Sequence, residues 1–597
     1  MGRLRPNVLW LGILAFLAGC STDTPRLAEA AEAAGMNVLV VTVDTLRADH
    51  LGCYGHPDAQ TPTIDALARD GLRFERATTV SPITLPSHAS MFTGLGAPNH
   101  GVRHNGTFRL ADEHTTLAER YAAAGYDTAA FVSAFVLERR FGLDQGFDDY
   151  DDRFDAHDPG AGSYPERPAD RVTDRVLEWL DARAGAAQDR PFFVWVHYFD
   201  PHGPYEPPAP FDTRFADSPY DGEIAFVDRE LGRLIEALDP PGTLVVLTSD
   251  HGEGLGEHGE ATHADLIYDS TMRVPLIVSN PVLFPGGKVV DDRLGATIDL
   301  VPTLVSLSGL ETGPAVDGVD LTGPTDPDRA VYVETLAPLL DYGWASLHGL
   351  RRYGDKFIRA PQPEYYDLDT DPGEQVNLLV EHPGAGGLRV ALASTMSTWP
   401  EDFAATGVRE LSPEEAERLA ALGYVAGARG STPDSRDPKD MMPLWHRMNE
   451  AGRMSVAGDH VGAITTIREV LRQDPDNGKA WVAAMQAYDR AGRPEDAETC
   501  ARRALELRPS SDLWVSLARY ALNRGDMATV SGALTEAERL DPDSGRVHLG
   551  HGYAEAMQGR YERAREEFET ALRLDPMRCG EDAREQIRKI DVLLDKR

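Results

Sequence analysis

Apolar residues follow two rhythms along this 597-residue chain. In the first two thirds, short runs are continuously apolar: NVLVVTV (37–43), FFVWVHYF (192–199), TLVVLTS (243–249) and VPLIVS (274–279). A strand with one wet face alternates apolar and polar positions, so unbroken runs suit central strands covered on both sides. Amphipathic segments lie between them. EIAFVDRELGRLIEAL (223–238) places Ile224, Val227, Leu231, Leu234, Ile235 and Leu238 on one helical face. The alternation predicts a doubly wound α/β domain with a mostly parallel sheet over residues 37–400.

The last quarter repeats. Pro475, Pro509, Pro542 and Pro576 close helical patterns at steps of 34, 33 and 34 residues, and Gly458, Gly492, Gly525 and Gly559 keep the same steps. This is the tetratricopeptide period. Ala483, Tyr488, Ala497 and Ala504 recur at helix-pair spacing and read as interlocking core positions. About four repeats over 441–576, then the capping helix EDAREQIRKIDVLL, predict an all-α solenoid across 441–597 that serves as an arm for a protein partner or for self-association. GARGSTPDSRDPKD (427–440) reads as exposed linker, part of a connecting segment from 401 to 440.

Composition narrows the partners. Asp and Glu outnumber Lys and Arg by 96 to 59, and a net charge of -37 argues against nucleic acid. Only six residues are lysine, the first at 288. An anion handled by the first half must therefore be held by arginine, histidine, backbone amides or a metal. Ligands of open α/β sheets meet the carboxyl ends of the strands, and there the chain places Asp44, then Asp200 and His202, then Asp250 and His251. Carboxylates and imidazoles converging at one edge suit a divalent cation. Cys53, Cys500 and Cys579 lie far apart and imply no disulfide framework.

The N-terminus reads as an address. Arg3 and Arg5 precede VLWLGILAFLAG (8–19), too short to span a bilayer but suited to a secretory leader. LAGC (17–20) resembles the bacterial lipobox, which implies cleavage before Cys20 and lipidation of its thiol. Residues 21–36 then form a tether. Ser21 stands where an inner-membrane retention signal has aspartate, so a periplasm-facing anchor in the outer membrane of the cell envelope is expected.

VTVDTLRADHLGCYG, TLPSHASMFTG, HGVRHNG, DPHGPY and TSDHGEGLGEHGE, in this order, resemble the sulfatase branch of the alkaline phosphatase superfamily. YYDLDTDPGEQVNL (365–378) is similar to that branch's C-terminal α+β subdomain. The resemblance implies a metal held by Asp44, Asp250, His251 and Thr84, with Thr84 as nucleophile. It also implies that Asn105 and Arg103 contact the transferring group and that His202 contacts the leaving group or donates its proton. A helix starting near Pro86 would aim free amides at the anion.

Three positions depart from the family pattern. Sulfatases carry at position 84 a cysteine or serine converted to formylglycine, followed by x-Pro-Ser-Arg; this chain has Thr84 and His88. Thr45 replaces a second acid or amide beside Asp44, and His263 replaces a lysine twelve residues after His251. Fewer carboxylates move the expected cation from calcium toward manganese or zinc. His263 is expected to catalyse with a pH-dependent charge. A threonine lacks the second hydroxyl by which an aldehyde hydrate expels sulfate, so phosphate esters or phosphodiesters are favoured, carried on a small molecule, glycan or lipid headgroup. Sulfuric ester hydrolysis and a non-catalytic repeat-bearing scaffold are the alternatives.

Overall fold

A computed structural model describes residues 26–154, 167–185, 190–399 and 436–595, apart from 107, 312, 508, 543 and 576–578. Cys20 with its leader, Pro576, and the connecting segment up to 435 lie outside the described residues. No helix among the described residues is long and apolar enough to cross a membrane.

The strands in chain order are β1 (Asn37–Val43), β2 (Gly71–Phe74), β3 (Ala77–Thr78), β4 (Asp127–Phe131), β5 (Asp149–Asp151), β6 (Phe192–Tyr198) and β7 (Thr243–Thr248). They continue with β8 (Leu276–Ser279), β9 (Lys288–Val290), β10 (Gly295–Ala296), β11 (Val331–Thr335), β12 (Leu347–Arg351), β13 (Asp355–Arg359) and β14 (Glu364–Asp367). An eight-stranded sheet runs β5-β4-β6-β1-β7-β8-β2-β9. Its centre, β4-β6-β1-β7, is parallel.

Both faces of that centre are dry, as the unbroken apolar runs require. Val38 and Val40 of β1 pack with Trp195 and Val246 beneath the helices Thr84–Thr93 and Leu300–Leu307. Leu39, Val41 and Val43 pack on the other face against Pro62–Arg69, Ala169–Gly185 and Pro219–Glu236. The fourth apolar run yields a strand that is antiparallel to both β7 and β2. Burial on two faces produces the same pattern in either direction, so the sequence carries no sign of the reversal.

β11 to β14 form a separate antiparallel sheet with the helix Gly384–Met396 packed on it. The solenoid follows as four helix pairs: Pro438–Val456 with His460–Gln473, Gly478–Arg490 with Pro494–Leu507, Ser511–Asn523 with Met527–Leu540, and Gly545–Met557 with Tyr561–Leu574. Gly580–Leu594 caps them. The periodic glycines 458, 492, 525 and 559 each adopt a left-handed backbone, φ 70° to 87°, at the turn within a pair. That conformation costs a residue with a Cβ and is the physical source of the glycine period.

The solenoid packs against the rest of the chain. Leu266, Tyr268, Met272 and Trp344 share one continuous core with Met442, Leu444, Trp445 and Met448 of its first helix. Trp344 is fully buried and donates from Nε1 to Asp474 Oδ2 at 2.8 Å. Arg436 pairs with the other oxygen of Asp474, and Lys439 Nζ reaches Glu364 Oε1 at 2.5 Å. Trp344→Ala opens a cavity in this shared core and strips a donor from the buried Asp474. We expect a loss of about 3–5 kcal/mol in denaturant unfolding of the whole chain. A loss below about 1 kcal/mol would show that the two parts are energetically independent.

Candidate metal centre and nucleophile

Parallel pairing delivers the site. Thr42 lies level with His197 on one side and with Thr248 on the other, so the residues after β1, β6 and β7 arrive at one edge. Asp44, Asp250 and His251 are fully buried, with one potential ligand atom from each within 4.8 Å of the others. His251 Nε2 stands 3.3 Å from Asp250 Oδ2 and 3.8 Å from Asp44 Oδ1. Thr84 Oγ1 lies 3.4 Å from the same nitrogen. Thr45 turns the chain after Asp44 with a left-handed backbone, φ 56°, a costly choice for a β-branched residue. The Tyr220 hydroxyl holds that turn by donating to the Thr45 carbonyl at 2.7 Å.

Hydrogen bonding leaves these groups suited to a cation. Asp44 Oδ1 and Oδ2 and Asp250 Oδ2 are buried and accept no hydrogen bond among the described residues. His251 Nδ1 lies 2.9 Å from the Gly252 carbonyl, which can only accept. That nitrogen therefore carries the proton, and Nε2 turns a lone pair toward the carboxylates. Unpaired carboxylate oxygens facing a lone pair in a dry interior repel, and a divalent cation among them removes the conflict. Burial pushes the carboxyl of Asp44 above its ordinary range, and burial with the charge of Asp44 does the same to Asp250. At His251 burial opposes protonation, but Asp250 and Asp44 outweigh it and raise the imidazole.

The helix carrying the nucleophile starts at Thr84 itself, two residues before Pro86. Ile83 is its N-cap, and no side chain caps it, so Thr84 does not serve as a cap. The expected row of free amides is reduced: Leu85 N donates to Asn105 Oδ1 at 2.9 Å, Pro86 has no N–H, and Ser87 N donates to the Ile83 carbonyl at 3.0 Å. Asn105 compensates. With Oδ1 committed to Leu85, the residue after the nucleophile, its Nδ2 is a buried donor without a partner among the described residues. A cation site beside an orphan donor is arranged for an anion.

Other candidates are placed as follows. His202 is half-buried, stacks on Phe199 at 4.4 Å and lies edge-on to His263 at 5.1 Å. Its Nδ1 faces the Gly203 carbonyl at 2.8 Å, so Nε2 is the free nitrogen. Burial outweighs the pull of Asp44 and lowers its basicity, which suits a leaving-group contact better than a proton donor. Asp200, from the same strand end, turns away and accepts from Ala169 N at 2.9 Å. Arg103 is buried and pairs through Nε and Nη2 with Glu334, so its charge is met within the protein.

A family profile for sulfatases matches residues 36–310, and tetratricopeptide profiles match 457–519 and 531–577. Residues 36–310 form a sulfatase domain. The chain is 28% identical to the uncharacterized sulfatase YidJ of Escherichia coli, over 58% of this chain and 83% of that protein. It is 26% identical to the multifunctional alkaline phosphatase superfamily protein PehA of Trinickia caryophylli, over 57% of this chain and 91% of that one. The phosphonate monoester hydrolase of Agrobacterium radiobacter shares the fold, with a TM-score of 0.50 at 24% identity over 61% of this chain and 95% of the other. The protein is thus a hydrolase of the alkaline phosphatase superfamily bearing tetratricopeptide repeats.

Within the sulfatase domain, the two basic positions of the family pattern have lost their charge. His88, at the arginine position, is buried, and desolvation lowers it to about 3. His263, at the lysine position, donates from Nδ1 to Glu253 Oε1 at 3.1 Å, and burial together with His251 holds it well below the ordinary imidazole value. Burial works against a charge on His263. Glu253, pushed up to about 7 by burial, and His197, in β6, belong to the site but escaped the sequence reading. The available signal for His197 was a lone polar residue inside an otherwise apolar central strand.

The raised carboxyls have a thermodynamic signature. A group whose folded value exceeds its unfolded value binds more protons when folded, so the stability that Asp44 and Asp250 lend the metal-free fold is lost as pH rises above 3.8, the ordinary aspartate value. With chelator present, urea unfolding should show the stability of wild type relative to Asp44→Asn falling between about pH 5 and about pH 8. Added Mn2+ should restore wild type most strongly at the higher pH. An Asp44→Asn slope equal to wild type would contradict an unscreened carboxylate pair.

Proposed function

We propose that this hydrolase transfers a phosphoryl group from an ester or phosphodiester, with Thr84 as nucleophile and water or an alcohol as final acceptor. The placement of Thr84 Oγ1 at 3.4 Å from His251 Nε2, inside the carboxylate cluster, carries the reading. A divalent cation held by Asp44, Asp250, His251 and Thr84 would stabilise the deprotonated hydroxyl of Thr84 without a neighbouring general base. Thr84 Oγ then attacks phosphorus, the bond to the leaving oxygen breaks, and the departing alkoxide takes up a proton. Asn105 Nδ2 donates to a non-bridging oxygen whose negative charge grows in the transition state. Water or an alcohol next attacks the phosphothreonine, breaks the P–Oγ bond and regenerates Thr84.

Sulfate chemistry in the family uses the second hydroxyl of an aldehyde hydrate, which threonine cannot supply. Burial also lowers the basicity of His88 and His263, which stand where the family pattern has an arginine and a lysine. Two carboxylates with an imidazole and a hydroxyl favour Mn2+ or Zn2+ over Ca2+. Comparing an aryl phosphodiester with the matching aryl sulfate, in wild type and Thr84→Ala, tests the reading. We expect phosphodiester turnover that falls by at least about 1,000-fold in Thr84→Ala. Sulfate turnover that depends on Thr84 would establish sulfuric ester hydrolysis in its place, and no turnover of either would favour the scaffold.

The same proposal places the enzyme on the cell envelope by a lipid at Cys20, with the solenoid engaging a protein partner. LAGC after a short apolar leader supports the anchor. Cys20→Ala should move the protein from the membrane fraction to the soluble one. A variant that stays on the membrane would overturn the lipid anchor.

A further inference from the structure

We infer that His197 is a further ligand of the cation held by Asp44, Asp250 and His251, an inference that rests on the metal reading above. Its ring is fully buried, and the hydrogen bonds around it fix where its proton sits. Ser133 Oγ lies 2.6 Å from the His197 carbonyl and 2.9 Å from His197 Nδ1. The hydroxyl has one proton, and the carbonyl can only accept it. Nδ1 must therefore carry its own proton and donate to Ser133 Oγ. That leaves Nε2 with an exposed lone pair. Nε2 is solvent-excluded, has no hydrogen-bond partner among the described residues, and stands 3.5 Å from Asp44 Oδ2, which is unpartnered as well.

Two acceptors facing each other in a dry interior is the arrangement that a shared cation relieves. The contact with Ser133 also matches what metal-bound histidines usually show, the distal nitrogen donating to an oxygen that orients the ring. Asp44 thus turns Oδ1 toward His251 and Oδ2 toward His197. His88 provides the contrast. It is grouped with His197 and Asp250 by distance, yet both of its nitrogens are occupied. Nδ1 donates to the Thr84 carbonyl at 2.8 Å, and Nε2 accepts from the Thr42 hydroxyl at 3.1 Å, whose oxygen accepts from Trp195 Nε1 at 2.9 Å. No lone pair of His88 is free, so the group contributes one ligand and one support.

The deciding measurement is pulsed electron paramagnetic resonance of the Mn2+-loaded mature chain, counting coupled imidazole nitrogens. We expect two imidazoles in wild type, one in His197→Ala and two in His88→Ala. Titration with Mn2+ should show at least about 10-fold weaker binding in His197→Ala. A single imidazole in wild type would overturn the inference even if His197→Ala failed to fold. So would a folded His197→Ala whose Mn2+ affinity stayed within about twofold of wild type. If Mn2+ did not bind wild type at all, the metal reading itself would fall, and with it the role of His197.

Discussion

Two carboxylates that cannot both be charged in a dry site set the terms for this protein. Asp44 and Asp250 end adjacent parallel strands, are wholly buried and have three oxygens without donors among the described residues. Left alone, the pair destabilises the fold at neutral pH. The protein tolerates it because the same edge supplies imidazole lone pairs, fixed by carbonyl and hydroxyl partners on the far side of each ring. Electrostatic conflict in the metal-free state and affinity for a cation are one property seen from two sides.

That arrangement explains how an anion is managed without lysine in the first half of the chain. Arg103 is committed to Glu334, burial lowers His88 to about 3, and burial works against a charge on His263. For the proposed phosphoryl group there would remain a cation, the Asn105 amide that lacks a partner among the described residues, and the leaving-group side near His202. Positive charge is concentrated at the nucleophile and does not spread around the pocket. Such a site suits a substrate of low charge, because a polyanion would lack partners for its further charges.

The solenoid is structurally part of this arrangement. The segment that follows His251 runs through His263 to Met272, and its Leu266, Tyr268 and Met272 sit in the core shared with the first repeat helix. A Cβ placed on Gly259 would come within 3.3 Å of Met442, which shows how closely the helix backs the loop. Loops that carry catalytic residues are commonly supported by the rigid elements behind them. Here part of that support comes from the repeats.

Much of this was legible in the residues themselves. Unbroken apolar runs marked the central strands, the 34-residue period marked the repeats, and ordered motifs marked Asp44, Thr84, Asn105, Asp250 and His251. These are local signals, written by burial on two faces, by the turn glycines and by chemistry at strand ends. Strand direction was not legible, since β8 is as apolar as the parallel strands at the centre of the sheet. Nor was the docking of the solenoid, which depends on Trp344 meeting Asp474 across 130 positions. His197 and Glu253 stayed hidden for the same reason. A side chain becomes a ligand or a neutral prop according to which atoms surround it, as the fully paired His88 and the half-paired His197 demonstrate. The sequence by itself determined which residues could reach the edge of the sheet, and only the tertiary structure decided which of them kept a free lone pair there, because hydrogen-bond partners are set by neighbours far away in the chain.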